Sequence, residues 1–305
     1  MMKINTTPYI LILLILLFGK VVFGQIDPQL SQIEFNRSIY NPAAIGTSED
    51  IIASTFARQQ WTGFENAPST QILNVCNYFS KYNVGAAITI INDNLGVENS
   101  QNIKMKYAYN VRLNNLSTIA FGVGIGLQHR KIHTSYLVFE NDNDPASFID
   151  ENSLNTDFDF GVEYKLKELT LGLSSTHITN SSKEATNFKI PRHYYFYSSY
   201  LFVANEKIII QPAISISNLR NIFLVGISGL VSYEDVLQAG FSYRIKDAFV
   251  IMAKVAITPY IQIGYSYDMN AGPMKSYSSG SHEIMIIARF SKNKNGNLKS
   301  PRFFD

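Results

Sequence analysis

The histidines come nearest to a metal-binding arrangement in this sequence, yet the spacings that suggest one are incomplete. His129 and His133 are four residues apart, which on a strand places both side chains on one face. No third ligand is spaced to join them, so a solvated loop pair is the better interpretation. His282-Glu283 would need a histidine where Ile286 stands to form the zinc motif H-E-x-x-H. The sequence therefore predicts no metal ion and no other cofactor.

Other motifs that support enzymatic chemistry are also incomplete. Residues 141–144 (Asn-Asp-Asn-Asp) resemble the start of a calcium loop, but the required glycine and the final glutamate are missing. An exposed acidic loop is the better interpretation, and weak calcium binding stays open. Gly122, Gly124 and Gly126 do not follow the G-x-G-x-x-G spacing, and the sequence contains no G-x-S-x-G turn. We therefore predict that the protein is not an enzyme.

The elements that carry these residues are predicted to be β-strands. From about Ile51 onward, apolar and polar residues alternate with a period of two, which is typical of a strand with two different faces. The clearest example sets Ile103, Met105, Tyr107, Tyr109 and Val111 against Lys104, Lys106, Ala108, Asn110 and Arg112. A helix would distribute both sets around its circumference, so the pattern indicates strand.

About fourteen such segments follow one another along the chain. Most are roughly nine to thirteen residues long, close to the ~9–11 that a tilted strand needs to cross a bilayer, whereas soluble strands centre on about 5–6. We expect them near 51–60, 69–79, 83–91, 102–113, 116–130, 156–166, 169–178, 192–204, 207–217, 220–230, 235–245, 248–257, 259–268 and 281–291. One face carries almost no charge, and the other is rich in small residues such as Gly122 and Gly124 that suit a lumen. The sequence therefore predicts an all-β transmembrane antiparallel β-barrel over residues 51–291.

The links between these segments differ in length in a regular way. Two-residue hairpin turns are predicted at 114–115, 167–168 and 205–206, and long loops at 59–68, 92–101, 131–155, 179–191 and 269–280. Short turns at one end and long loops at the other are typical of outer-membrane barrels. The links near 218–219 and 246–247 are exceptions, because they are short where a long loop is expected.

The first residues predict export to the outer membrane. Lys3, the apolar run at residues 9–18 and the small-x-small pattern at residues 22–24 indicate a signal peptide over residues 1–24. Its removal takes two lysines from the 26 basic residues, leaving 24 against 24 acidic ones. Such a balance argues against nucleic acid as a partner. The single cysteine, Cys76, excludes an internal disulfide.

Two segments lie outside the strand pattern. Residues 25–50 are polar and too long for a simple leader, so they are expected to plug the lumen or to form a periplasmic arm. Residues 292–305 form a basic tail that contains Phe303-Phe304. An exposed pair of phenylalanines lowers solubility unless it docks, so we expect this periplasmic tail to pack against a partner.

Distinctive short blocks of sequence occur along the mature chain. They are Asp27-Pro28-Gln29-Leu30-Ser31-Gln32, Asn41-Pro42-Ala43, Arg58-Gln59-Gln60-Trp61-Thr62-Gly63-Phe64, Ala67-Pro68, Asn92-Asp93 with Gly96, Tyr265-Ser266-Tyr267-Asp268, Gly280-Ser281-His282-Glu283-Ile284 and Ser300-Pro301-Arg302-Phe303-Phe304. In content and order these blocks resemble the PorP/SprF family of type IX secretion and gliding-motility proteins. The chain departs from that family at Leu30, where an aromatic is usual, and at Ile33-Glu34.

The resemblance implies an outer-membrane barrel of Bacteroidetes-type bacteria. It implies a role in secreting, or retaining at the surface, large cargo proteins such as adhesins with C-terminal sorting domains. Its implied partners are the lipid bilayer, the cargo and other type IX secretion components. The candidate partner-binding residues are those of the matching blocks: Asp27, Pro28, Gln29, Arg58, Trp61, Gly63, Phe64, Gly280, Ser281, His282, Glu283, Pro301, Arg302, Phe303 and Phe304.

Alternatives to the predicted role of Trp61 and to the predicted function of the barrel stay open. Trp61 with Arg58 suits an interface anchor, because aromatic and arginine side chains dominate binding hot spots. Trp61 fits an interfacial aromatic belt equally well. A passive or substrate-specific pore is the rival function. A membrane protease or lipase would need a polar triad at the outer rim, and we find no such set in the sequence.

Overall fold

Fourteen antiparallel strands form the body of the computed structural model, which describes residues 27–132, 151–179, 191–219 and 222–291. The strands are β1 (Ile51–Gln59), β2 (Ser69–Phe79), β3 (Val84–Leu95), β4 (Glu98–Asn114), β5 (Ser117–Ile132), β6 (Glu151–Leu166), β7 (Leu169–Thr176), β8 (His193–Tyr200, continued by Phe202–Val203), β9 (Ile208–Leu219), β10 (Ile222–Tyr233), β11 (Leu237–Arg244), β12 (Ala248–Thr258), β13 (Ile261–Asn270) and β14 (Ser281–Phe290). Both parts of β8 pair with β9, so they count as one strand interrupted at Leu201. The predicted strand number is confirmed.

The sheet closes on itself. Each strand pairs with the next one along the chain, and β14 returns to β1, with Phe290 opposite Ile51 and His282 opposite Gln59. Closure leaves no open edge, which matters in lipid because an unpaired backbone group there costs several kcal/mol. The predicted closed antiparallel barrel is confirmed.

The two faces of the strands meet different surroundings. On β4, Ile103 and Met105 point outward and are 52% and 62% exposed, whereas Lys104 and Lys106 point inward and are 5% and 3% exposed. Large apolar side chains are exposed in the same way on the other strands. An apolar surface of this extent is unfavourable in water. The outward-facing apolar side chains therefore form a belt that contacts lipid.

The two ends of the barrel differ as expected of an outer-membrane protein. Turns such as residues 167–168 are short at the end where residues 50 and 291 lie, which makes this the periplasmic end. Residues 60–68 and 271–280 are longer links at the opposite, outer end. The turn predicted at 114–115 lies one residue later, because Asn114 still pairs with Ser117.

The predicted loop at residues 92–101 is wrong. β3 and β4 continue to Leu95 and Glu98 and are joined by a tight turn, in which Gly96 has a φ of +59°. Asn99 Nδ2 donates across the hairpin to Asn92 Oδ1 at 3.1 Å and to Asn94 Oδ1 at 2.6 Å. The strands therefore extend beyond the apolar belt as a polar hairpin, where apolar alternation is not needed.

Residues 27–50, here called the luminal segment, lie inside the barrel. They include three short 3-10 helices, Ile33–Phe35, Arg37–Ile39 and Pro42–Ile45. The third begins at Pro42, where the Asn41 side chain accepts a hydrogen bond from the Ala43 backbone N–H at 2.9 Å. None of the helices in the described ranges is long and apolar enough to span a membrane.

The luminal segment packs against both apolar side chains and glycines of the wall. Its buried Leu30, Ile39 and Tyr40 form one cluster with wall residues that include Phe56 and Met285. Where its backbone comes closest, the wall has no side chain. A Cβ on Gly122 would lie 2.2 Å from Ala43 N, and one on Gly161, its partner across β5 and β6, 2.0 Å from Asn41 Oδ1. The wall and the segment are therefore fitted to each other.

Candidate functional site

A buried charge cluster joins the wall to the luminal segment. Arg58 Nη2 on β1 lies 2.7 Å from Asp268 Oδ2 on β13, and its Nη1 lies 3.2 Å from Glu283 Oε2 on β14. Arg244 Nη2 on β11 also contacts Asp268 Oδ2 at 2.7 Å. The side chains of Arg58, Asp268 and Glu283 are at most 1% exposed. In this setting each charge depends on its partners, because an uncompensated buried charge is strongly destabilising.

The same cluster binds the luminal segment directly. Glu283 accepts hydrogen bonds from the backbone N–H groups of Ser31 at 2.8 Å and Gln32 at 2.9 Å. The Ser31 hydroxyl donates to Asp268 at 2.7 Å and accepts from Arg58 Nη1 at 2.7 Å. Hydrogen bonds with one ionised partner are roughly twice as strong as neutral ones. The cluster therefore holds residues 31–32 at the β13–β14 side of the barrel.

A second set of contacts holds the middle of the luminal segment. Lys106 Nζ on β4 donates to the backbone carbonyls of Ser38 and Ile39, each at 2.6 Å. The Asn41 side chain donates to Tyr197 OH at 3.1 Å, and that hydroxyl in turn donates to Glu163 at 2.5 Å. These partners lie on strands across the lumen from the Arg58 cluster. The segment is thus tied to several sides of the wall.

A third set holds the beginning of the luminal segment near the outer end of the barrel. Asp27 Oδ1 lies 2.7 Å from His177 Nε2, and Asp27 Oδ2 lies 2.9 Å from His193 Nδ1. Tyr195 OH donates to Asp27 Oδ2 at 2.8 Å. His177 follows β7, and His193 begins β8. These three contacts bring together residues that are about 150 or more positions apart in the chain.

The charges in this third set shift each other's proton affinity. Burial alone would raise the pKa of the Asp27 carboxyl, but His177 and His193 outweigh that effect and lower the pKa well below its usual value. Burial opposes protonation of His177, yet the Asp27 carboxylate outweighs it and raises the pKa of His177 to about 9. At neutral pH, Asp27 and His177 therefore form an ion pair.

At the outer rim, two of the family-like blocks meet. Thr62 and Ser279 exchange backbone hydrogen bonds with residues of the opposite loop: Thr62 N donates to Gly280 O at 2.8 Å, and Ser279 N donates to Thr62 O at 2.9 Å. Trp61 N donates to Ser281 Oγ at 3.1 Å. Gly63 and Gly280 have φ values of +91° and +109°, a region that favours glycine. Residues 60–64 and 278–281 therefore form one paired surface.

The structure divides the sequence-predicted site residues among different places. Arg58 and Glu283 belong to the buried charge cluster. Asp27 belongs to the third set of contacts, which it forms with His177 and His193 and which is called the histidine set below. Trp61, Gly63, Phe64, Gly280 and Ser281 lie at the outer rim, while His282 faces outward and contacts Tyr265 OH through Nδ1 at 2.7 Å. Pro28 and Gln29 line a cavity beside the luminal segment. Pro301, Arg302, Phe303 and Phe304 lie outside the described residues.

One expectation about these residues needs correction. Arg58 does not join Trp61 as an anchor for an external partner, because its guanidinium points into the lumen and binds two carboxylates there. The sequence also missed His177, His193, Asp268 and Lys106 as contacts of the luminal segment. For Lys106 and Asp268 the available signal was a charged residue on the inward face of a long strand, whereas His177 lies in the link after β7.

Together the fold and these contacts define a class of protein, a closed membrane β-barrel whose lumen holds the N-terminal segment of its own chain. The chain belongs to the PorP/SprF family of type IX secretion system membrane proteins, because the model of that family matches residues 22–287. This confirms the resemblance seen in the sequence. With the closed barrel and its apolar belt, it places the protein in the outer membrane and in type IX secretion.

Solved outer-membrane proteins resemble this chain at low sequence identity. Omp33 of Acinetobacter baumannii is 10% identical with a TM-score of 0.47, over 80% of this chain and 99% of that one. A FadL homologue of Pseudomonas aeruginosa is 10% identical with a TM-score of 0.47, over 88% and 95%. A TodX deletion mutant, described as a monoaromatic hydrocarbon channel, is 10% identical with a TM-score of 0.48, over 83% and 93%. No curated protein matches the sequence.

Proposed function

We propose that this protein is a plugged outer-membrane scaffold that assists the secretion or surface attachment of large cargo proteins, such as adhesins with C-terminal sorting domains. The observation that supports this most is the luminal segment, which is tied to the wall through Arg58, Lys106 and Asp27. A barrel filled by its own chain is suited to holding a partner rather than to passing solutes. Membership of a type IX secretion family supports the cargo role.

Loss and recovery of surface cargo test this function. A strain that lacks the gene should lose a cargo protein from its surface, and the reintroduced gene should restore it. The intact barrel, extracted in detergent, should co-purify with that cargo and with other type IX components. Unchanged cargo display in the deletion strain would contradict the proposal.

A pore or substrate-specific channel is the second candidate function. Two cavities of about 90 and 70 Å³ lie beside the luminal segment, which leaves some free space within the lumen. The larger one is lined by side chains that include Tyr195, Ser215 and Ser242. A channel predicts ion conductance by the unmodified protein in planar bilayers, whereas a plugged scaffold predicts conductance only after the segment is displaced.

The outer rim is the surface that we propose receives the cargo. Phe64 and Tyr277, on the two outer loops, are 48% and 69% exposed. Replacing both by serine should weaken cargo binding by about 2 kcal/mol, roughly thirtyfold, because aromatic side chains dominate binding hot spots. Surface labelling of cargo on whole cells measures the effect. Tyr82, 62% exposed at the periplasmic end, is the matched control, and Tyr82→Ser should leave display unchanged.

If the double variant displays cargo normally while folded in the outer membrane, the rim is not the docking surface. Trp61, also at this rim, is half-buried. Its role as an interface anchor or as part of the aromatic belt stays a prediction. Trp61→Ser added to the double variant separates the two roles, since an anchor adds to the loss of display and a belt residue does not.

The C-terminal tail is proposed to dock to other secretion components in the periplasm. Removing residues 292–305 should leave the barrel inserted in the outer membrane and abolish cargo display, because the Phe303-Phe304 pair would no longer reach its partner. Insertion is measured by the altered gel mobility of the unheated barrel, and display by surface labelling. Normal display by the shortened protein would refute the docking role.

A further inference from the structure

Asp27, His177 and His193, at the outer end of the barrel, bring together three groups of the kind that ligate metal ions. One atom each from Asp27, His177 and His193 lie within 4.8 Å of one another. Two imidazoles and one carboxylate form a ligand set that binds zinc and other divalent transition metals. Neither the spacing of His129 and His133 nor the His282-Glu283 pair is involved. The ligands come from three separate parts of the chain.

The surroundings of His177 match those of a metal ligand. Its Nε2 lies 2.7 Å from Asp27 Oδ1, and its other ring nitrogen, Nδ1, lies 2.8 Å from Asp157 Oδ2. Ligating histidines almost always bond a carboxylate, carbonyl or water through the nitrogen that does not hold the metal, which orients the ring. Asp157 is placed to do this. His177 is 3% exposed, so its ring has little freedom to turn away.

Neither ring nitrogen of His193 makes a hydrogen bond with a described residue, although Nδ1 lies 2.9 Å from Asp27 Oδ2. The residue is 2% exposed. A buried polar atom left in this way costs free energy, so it indicates a ligand or a strained arrangement. The rings of His177 and His193 meet edge to face, with centroids 5.3 Å apart. Each ring also has one nitrogen within 2.9 Å of an Asp27 carboxylate oxygen.

The local charge favours a divalent cation. Asp27, Asp157 and Asp159 face this region, and Lys104 lies 2.7 Å from Asp157 and 2.8 Å from Asp159. Lys106 lies nearby, but its ammonium group binds two backbone carbonyls of the luminal segment. Three carboxylates and two lysines thus surround the histidines, an excess of negative groups that a cation would balance.

We propose that Asp27, His177 and His193 bind one divalent transition-metal ion, with zinc as the best-suited ion. The ion fastens the beginning of the luminal segment to the wall at the outer end of the barrel. Coordination replaces the direct contacts of Asp27 with the two histidines, while Tyr195 OH still donates to its carboxylate. This site is independent of the cargo role and exists in the isolated protein.

Zinc titration of the purified full-length mature protein tests the proposal. The protein is extracted in detergent without a polyhistidine tag, stripped with a chelator and titrated with zinc in a calorimeter, where we expect one ion per chain. His177→Ala and His193→Ala should each weaken binding by at least about tenfold, and Asp157→Asn by about 10–100-fold as the residue that orients a ligand. His282→Ala, which removes an outward-facing histidine, should bind as the unmodified protein does.

The gel mobility of unheated samples shows whether each variant is folded, and His193→Gln serves where the alanine variant does not fold. Folded His177 and His193 variants that bind zinc with unchanged affinity would overturn the proposal. So would the absence of stoichiometric binding by the unmodified protein, in which case the cluster is an ion pair without a metal. Because the assay contains no cargo, its failure is distinct from failure of the scaffold function.

Discussion

Replacing Gly122 by valine should displace the luminal segment, and ions should then pass through the lumen of the barrel. The Cβ of the new side chain would lie 2.2 Å from Ala43 N and 2.7 Å from Ala43 Cα, far inside van der Waals contact with backbone atoms. Backbone cannot move aside as the end of a flexible side chain can. The wall strands are held by the closed ladder of hydrogen bonds, so the segment is the part that gives way.

Gly161→Val is the independent companion to this change, because a Cβ there would lie 2.0 Å from Asn41 Oδ1. Conductance in planar bilayers measures the result, and protease sensitivity of the N-terminus reports whether the segment has left the lumen. Gly229→Val is the matched control, since nothing lies closer than 3.6 Å to a Cβ at that position. If both lumen-facing variants fold and conduct no more ions than the control, the luminal segment does not block the lumen.

Arg58→Met should destabilise the folded barrel by roughly 3–5 kcal/mol, the usual cost of leaving a buried carboxylate without its partner. Among the described residues, Glu283 is then left without a cation, and Arg244 is the one cation that remains at Asp268. Ser31 also loses a donor to its hydroxyl, so the hold on the luminal segment weakens at the same time. Methionine keeps much of the arginine stem, which separates the loss of charge from the loss of volume.

The unfolding midpoint in denaturant, read from gel mobility or intrinsic fluorescence, measures this effect. Arg112→Met makes the same substitution at an exposed position and should change stability by no more than about 0.5 kcal/mol. A variant that also carries Glu283→Gln should recover part of the loss, because the uncompensated carboxylate is then removed. Equal stability of the Arg58 and Arg112 variants would show that the buried cluster is not what holds the fold together.

The number and placement of the strands could be predicted from the sequence because the cause is local. A strand between lipid and lumen must alternate apolar and polar side chains, and this alternation is visible at Ile103–Lys106 without knowledge of any other strand. The prediction at residues 92–101 was wrong because this alternation is required only where a strand contacts lipid. There β3 and β4 pass beyond the apolar belt, so Asn92, Asn94 and Asn99 carry no alternation although they pair.

The contacts that hold the luminal segment could not be predicted in this way. Asp27 meets His177 and His193 at separations of about 150 residues or more, and no local spacing encodes such a meeting. The sequence likewise indicates Arg58 as a candidate interface residue. Its carboxylate partners could not be predicted, because they lie more than 200 positions away along the chain. Inward charges were recognisable as a group, but their pairing was not.

The amino-acid pattern alone thus specifies a barrel that crosses the outer membrane. Each strand separately contacts lipid, so every second residue of each strand is apolar. Which inward side chains face one another depends on the register of fourteen strands, on the closure of β14 onto β1 and on the path of residues 27–50 through the lumen. Those are properties of the whole barrel. For that reason the buried charge cluster and the Asp27 histidine set emerge only once the chain is folded.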